Sequence, residues 1–425
     1  MAVTTPISLR NGLIYSVFVR NYSEEGTFEA VRRDLDRIRA LGTDIIWLMP
    51  VQPSGKAGRK GSLGSPYAIS DYRKINPEFG TMDDFVRLTE DIHAHGMKVI
   101  IDVVYNHTSP DSWLAQNHPE WFYHKGDGSL GGRVGDWSDV VDLDYSKKDL
   151  WRYQIDTLKM WAQYVDGFRC DVAPIVPGDF WQQARAEVEQ VRPGALWLAE
   201  SVQPRFIAWA RSRGISMQSD AEIYQNFDIA YDYDIYDLFK AAITGQGTWQ
   251  AYAEAVTGQE SIYPANYIKL RCLENHDRAR AHFLFPDARA LRNMTAFNYF
   301  QKGITMLYNG EERSAVHHPT LFDKDTVDWS GEDITPLLQR LREIKRAPIF
   351  AEGAYQLEAL PGDYLHGTYV YGEERMTGIF SPRGCTGAVA VDLPDGQYVN
   401  LIGGSTVEVY EGVLSFAGEP VILKA

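Results

Sequence analysis

The sequence predicts an α/β fold: a (β/α)8 TIM barrel with a short insertion after strand three, followed by an all-β C-terminal domain. Three observations predict it. Strand-like apolar runs alternate with helix-like patterns, eight times, up to about residue 345. Several of the runs are almost continuously apolar, as strands covered by helices on both faces are. From about residue 347 the pattern changes to short strands separated by turn residues such as Leu393-Pro394-Asp395-Gly396. The predicted boundaries are 1–107 and 149–346 for the barrel, 108–148 for an inserted subdomain B, and 347–425 for a C-terminal β-sandwich.

Residues 13–22 (LIYSVFVRNY) are rich in β-branched and aromatic residues and predict the first strand. Apolar residues at helical spacing over 28–41, closed by Gly42, predict a helix. The apolar run 44–51 (DIIWLMPV) is the second strand. A long Gly/Ser/Lys-rich loop follows, containing Ser65-Pro66-Tyr67-Ala68; loops of this length are commonly functional. Thr81 caps a helix over 82–95, stopped by Gly96. Strand three spans 98–106 (KVIIDVVYN).

Residues 108–148 are rich in Gly, Asp, His and Trp with little periodicity, which marks the insertion. The alternation resumes with a helix over 150–164 and a fourth strand over 167–173. Further along, helices are predicted over 180–191, 206–212, 289–302 and 334–345. Strands are predicted at 196–201, 267–273 and 304–308, and a short strand with a helix within 227–242.

Composition narrows the partners. The chain has 425 residues, of which 44% are hydrophobic, so a core large enough for a barrel is available. The formal net charge of -15 argues against nucleic acid or an anionic membrane surface as the main partner. It suits a neutral substrate. Aromatic residues make up 12% of the chain, enough to stack on flat apolar rings as well as to fill a core. The cysteines are Cys170, Cys272 and Cys385, an odd number without a CxxC pair, which predicts reduced, buried thiols. Residues 1–10 lack an apolar signal core and no run approaches a membrane span, so the sequence predicts a cytoplasmic protein with no membrane partner.

The segment Gly167-Phe168-Arg169-Cys170-Asp171-Val172-Ala173 carries two charges two positions apart in otherwise small or apolar surroundings. Strand alternation puts Arg169 and Asp171 on one face. Taken alone, the pair is either a structural ion pair or a nucleophilic carboxylate kept ionised by its neighbour. Barrel active sites are built at the C-terminal ends of strands. Asp102, Asn106 and His107 fall at the predicted end of strand three, Arg169 and Asp171 at four, Glu200 at five, and His276 with Asp277 at seven. Such ends converge on one cleft. Two carboxylates flanking a glycosidic bond suffice to cleave it, one attacking carbon and the other moving the proton. Asp171, beside Arg169, suits the first task. Glu200, after the apolar Trp197-Leu198-Ala199, suits the second, because apolar surroundings raise a carboxyl pKa. Asp277 is then available to stabilise a cationic transition state.

At these residues the chain resembles glycoside hydrolase family 13, the α-amylase family. The resemblance rests on DVVYNH at 102–107, GFRCDVA at 167–173, LAES ending the fifth strand, and ENHD at 274–277, with VVDLDY at 140–145 as a weaker fifth segment. It implies Asp171 as nucleophile, Glu200 as acid/base and Asp277 as transition-state stabiliser. It also implies that Tyr67 stacks under the sugar, that His107 and His276 contact it, that Arg169 is the family's arginine and that Asp102 orients it. Asn106 and Asp142 match calcium ligands of many α-amylases. With no third side-chain ligand evident, hydrogen bonding is the expected role of both, no cofactor is required, and calcium is the alternative.

The implied function is a retaining α-glucan hydrolase cleaving α-1,4 bonds of maltodextrins or starch. An oligosaccharide or polysaccharide is its partner. Val172-Ala173-Pro174-Ile175 replaces the Ala-x-Lys-His of many α-amylases, and Val172 resembles enzymes acting on α-1,6 bonds. An α-1,6-glucosidase or a glucosyl transferase is therefore the alternative within the family. A non-catalytic amylase-like sugar binder is the alternative outside enzymes. Such a protein should lack part of the Asp171, Glu200 and Asp277 set.

Overall fold

Eight parallel strands close the barrel: β1 Leu13–Val17, β2 Ile45–Leu48, β3 Lys98–Val103, β4 Gly167–Cys170, β5 Leu196–Ala199, β6 Ile229–Tyr231, β7 Lys269–Arg271 and β8 Ile304–Tyr308. Each pairs in parallel with its sequence neighbours, and β1 pairs with β8 to complete the ring. The computed structural model describes residues 4–134 and 137–425. The strands are buried along nearly their whole length, which is why they read as apolar runs and not as alternating ones. Among the described residues, no helix is long and apolar enough to cross a membrane.

Several elements are shorter than the sequence predicts. Strand one ends at Val17, because the Phe18 N–H donates to the Asn309 side chain at 2.8 Å, and Val19–Tyr22 form a helical turn instead. The helix predicted over 28–41 is two helices, Phe28–Arg33 and Leu35–Ala40, broken at Asp34. The Asp34 carboxylate there accepts from Tyr22 Oη at 2.7 Å and from Arg37. Strand four stops at Cys170 and does not continue to residue 173, because Val172 has φ 36°, a left-handed conformation that a β-branched residue rarely adopts. The helix Met82–Ala94 begins as predicted, with Thr81 and Asp84 in a reciprocal capping box.

A helix at Trp249–Ile262 was not legible in the sequence. It packs on the first C-terminal strand, where the Thr257 hydroxyl donates to the Leu357 carbonyl at 3.0 Å. The C-terminal part forms two four-stranded antiparallel sheets. One pairs Ala354–Leu360, Tyr364–Tyr371, Glu374–Phe380 and Val421–Lys424 in that order, and the other contains Gly387–Ala390, Gly396–Val399, Thr406–Tyr410 and Val413–Phe416. Cys170 and Cys272 are buried thiols, but Cys385 is exposed, contrary to expectation. It lies in the connection between two strands and not within one.

Candidate active site

Asp171 and Glu200 each sit one residue beyond the end of their strand, still tied to the neighbouring strand by the backbone. The Asp171 N–H donates to the Val103 carbonyl at 2.9 Å, and the Glu200 N–H to the Cys170 carbonyl at 3.0 Å. The ladder thus carries both carboxyls to the rim of the barrel mouth. The left-handed turn at Val172 brings its N–H back to Glu200 Oε2 at 2.9 Å. A strained backbone position held by a hydrogen bond to an adjacent carboxylate is a feature that clusters at functional sites.

Arg169 is wholly buried and organises this end of the barrel. Its Nη1 donates to Asp102 Oδ1 and to Asp171 Oδ1, both at 2.9 Å. Its Nη2 lies 3.0 Å from Glu200 Oε2, as an ion pair and not an aligned hydrogen bond. Its Nε donates to Tyr231 Oη at 3.3 Å. The rings of Trp47, Tyr231 and Tyr67 surround the guanidinium at 5.1, 5.5 and 5.7 Å. A planar fork with several donors is needed to reach three carboxylates from one position.

Tyr67 joins the site from the long loop after β2. Its hydroxyl donates to Asp102 Oδ2 at 3.1 Å and sits 2.7 Å from His276 Nε2, while the two rings stack at 5.3 Å. His276 also lies 3.1 Å from Asp277 Oδ2. The Asp277 N–H is held by Asn275 Oδ1 at 2.8 Å in a tight side-chain turn. Asp277 is 46% exposed, facing the open cleft, whereas Asp171 and Glu200 are each 10% exposed. His107 Nε2 is 4.0 Å from Asp171 Oδ2. The predicted residues Tyr67, His107, Asp171, Glu200, His276 and Asp277 thus line one cleft of about 250 Å³, with Arg169 and Asp102 beneath it.

The environment separates the protonation states. Burial pushes the Glu200 carboxyl up to about 7, against the opposing pull of Arg169. Burial likewise raises Asp171, and Arg169 pulls it back only as far as about 6. Desolvation is the larger effect, and the opposing pull of Arg169 leaves Asp171 mostly ionised near pH 7. Confinement in the cleft would raise Asp277, but His276 brings it down to about 2. Burial pushes His107 down to about 4, so its imidazole is neutral near pH 7.

Asn106 and Asp142 lie behind His107. Asn106 Nδ2 donates to Asp142 Oδ1 at 3.4 Å and contacts His107 Nδ1 at 3.1 Å, and the Arg133 N–H donates to Asp142 Oδ2 at 2.7 Å. These bonds fix the histidine ring. Among the described residues, no group of three or more His, Cys, Asp or Glu side chains is placed to hold a metal ion.

Sequence reasoning missed Trp47, Trp137 and Tyr231. Trp47 and Tyr231 were hidden inside apolar strands, where a ring that packs on a guanidinium looks like core. Trp137, 5.4 Å from the His107 ring, lies in the insertion, which has no periodicity to locate it.

A closed parallel barrel that gathers three carboxylates and a buried arginine at its C-terminal strand ends defines an enzyme of glycosidic-bond chemistry. The alpha amylase catalytic domain family matches residues 14–128 and 134–348, and the bacterial alpha amylase C-terminal domain family matches 356–423. The chain belongs to the α-amylase family, glycoside hydrolase family 13. It is similar to the crystal structure of an α-amylase from Lactobacillus plantarum, with 50% identity and a TM-score of 0.96 over 99% of this chain and 100% of that one. It is similar too to the noncanonic maltogenic α-amylase AmyB from Thermotoga neapolitana, at 32% identity and a TM-score of 0.87 over 98% and 99%.

Among curated relatives, the α-amylase MalA of Haloarcula japonica is 27% identical over 78% of this chain and 47% of its own length. An α-1,4-glucan:maltose-1-phosphate maltosyltransferase of Myxococcus xanthus is 29% identical over 50% of this chain and 36% of its own length. The chain thus spans about half, or less, of the length of these relatives.

Proposed function

We propose that the protein is a retaining α-glucan hydrolase that cleaves α-1,4-glucosidic bonds of maltodextrins or starch by double displacement. Asp171 attacks the anomeric carbon. Glu200 protonates the departing oxygen and then deprotonates the incoming water. Asp277 faces the positive charge that develops on the sugar. Tyr67, His107 and His276 hold the sugar, and Arg169 holds the carboxyls in place. These side chains supply both the nucleophile and the proton transfers, so the reading requires no cofactor.

The observation that supports this best is the single guanidinium of Arg169 in contact with both Asp171 and Glu200. It draws the two carboxyls close together. Retaining pairs stand about 5–5.5 Å apart, whereas inverting pairs need about 6.5–9.5 Å to admit a water. NMR of the first product released from a maltooligosaccharide is expected to show the α-anomer. Initial release of the β-anomer would overturn the double displacement.

The protonation states set a second expectation. The reaction needs Asp171 ionised and Glu200 protonated. As pH rises through about 6, Asp171 loses its proton and kcat/KM is expected to climb. As pH rises through about 7, Glu200 loses the proton that it must donate, and kcat/KM is expected to fall. A narrow bell is therefore expected. A rate that stays flat from pH 5 to 9 would remove these two carboxyls from the roles given to them.

A second reading is transfer of the glycosyl group to another sugar instead of water, favoured by the similarity to maltosyltransferases. The covalent intermediate is the same. Product analysis with and without an added acceptor sugar separates the two readings.

A further inference from the structure

The cleft has two unlike ends. Glu200 would protonate the leaving oxygen, so the departing part of the substrate lies toward β5. On that side the helix Pro204–Ser212 presents Phe206 and Trp209, stacked at 5.5 Å with nearly parallel rings, and Trp209 is 38% exposed. Phe206 belongs to the same apolar cluster as Val172 and Trp137, which line the cleft. That end is open and offers a flat face to a sugar chain. In a closed ring of eight strands the loops after β2 and β8 lie across the mouth from β5, toward the glycone.

That opposite end is built shut. Segment 58–64, after β2, spans from the insertion to the loop after β8. The backbone N–H groups of Leu63 and Gly64 donate to the Phe322 carbonyl at 3.0 and 3.1 Å, and Ser62 donates twice to Asp323 Oδ1. Lys60 reaches the other way, with Nζ 3.0 Å from Asp139 Oδ1 and 5.9 Å from the Phe322 ring centroid. Gly58 and Gly61 keep φ near +65°, and a Cβ at Gly61 would stand 2.6 Å from the Phe322 carbonyl oxygen, so the close approach needs glycine. Lys60, Asp139 and Phe322 all face the cleft that holds Asp171 and Glu200. Asp139 is 6% exposed and Lys60 38%, so the carboxylate is fixed in the wall while the ammonium stays within reach of the cleft. The cleft volume of about 250 Å³ falls below the usual range of ligand pockets, about 300–1,000 Å³.

We propose that the Lys60–Asp139 bridge, seated beside Phe322, is a stop that closes the glycone end of the cleft, so that the enzyme removes short saccharides from the non-reducing ends of linear α-glucans. The proposal rests on the hydrolytic reading above. A chain interior cannot pass through the wall. The last sugar instead abuts it, and its ring hydroxyls meet an ammonium donor and a carboxylate acceptor.

The test compares two maltoheptaosides, one free and one capped by an ethylidene group on its non-reducing sugar, with every released fragment followed by chromatography. Wild type is expected to cleave the capped substrate at least tenfold more slowly than the free one. Lys60→Ala is expected to bring the two rates within about threefold of each other and to release longer fragments. The double variant Lys60→Ala with Asp139→Asn, which leaves no buried carboxylate stranded, is expected to do the same. Equal cleavage of both substrates by wild type would overturn the stop while leaving the hydrolytic reading intact. Cleavage of neither would overturn that reading, and the stop with it. An unchanged ratio in both variants would show that the bridge is not what closes the cleft.

Discussion

Replacing Glu200 with glutamine is expected to lower kcat on maltodextrin by roughly 10²–10⁴-fold, the usual contribution of a positioned proton donor. The amide keeps the shape of the side chain and can still accept from the Val172 N–H, which lies 2.9 Å from Glu200 Oε2. Sugar binding is therefore expected to survive, measured by calorimetry with a maltooligosaccharide. The loss should depend on the leaving group. A glycosyl fluoride departs with little help from an acid, so the variant is expected to accumulate a glycosyl ester on Asp171, visible as a mass increase of the protein. The alkaline limb of the pH profile should vanish with the titrating group. Near wild-type hydrolysis of maltodextrin by the glutamine variant would show that Glu200 is not the acid.

The second large effect concerns Arg169. Its guanidinium contacts Asp102, Asp171 and Glu200 at about the same distance. Arg169→Met leaves three buried carboxyls without a cation. Breaking a buried ionic group in this way costs about 3–5 kcal/mol, a large part of a typical total stability of about 5–15 kcal/mol. In the wild type, burial already raises all three pKa values and Arg169 opposes the rise. Without the arginine they rise further. A carboxyl whose folded pKa exceeds its unfolded value destabilises the fold as pH climbs through the folded pKa, and not below the unfolded one. The stability deficit of Arg169→Met is therefore expected to be smaller at pH 5 than at pH 8, measured by urea denaturation.

The acidic limb of any residual activity should move upward from about 6, because Asp171 holds its proton more tightly. Arg169→Lys conserves the charge but offers one compact ammonium in place of a fork. It is expected to recover much of the stability and little of the turnover. An unchanged acidic limb in a folded, partly active Arg169→Met protein would separate Arg169 from the charge state of Asp171.

Some of this was readable from residues alone because it depends on local pattern. The apolar runs of β2, β3 and β8 announce strands buried on both faces, and Thr81 announces its helix, since capping and burial are short-range rules. The order of the charged motifs at strand ends was enough to place Asp171, Glu200, His276 and Asp277 in one family pattern. The helix Trp249–Ile262 shows where such rules fail. Trp249, Tyr252, Ala253 and Val256 have helical spacing, but the buried face continues into Gln259, which looks like a surface residue. Its amide is satisfied by Asp234 at 2.8 Å and Arg271 at 2.7 Å, partners supplied by the turn after β6 and by β7.

What only the tertiary structure decided are the quantities set by convergence. Arg169 and Asp171 are two residues apart, but Asp102, Tyr231 and Glu200 reach the same guanidinium from three other strands. The sequence identified the pair, yet it could not weigh desolvation against Coulomb attraction. That balance depends on how many atoms from other segments exclude water, and it leaves Asp171 raised to about 6 despite Arg169. The closed end of the cleft is of the same kind. Lys60, Asp139 and Phe322 come from three loops with no common motif, and only ring closure of the barrel brings them to one wall.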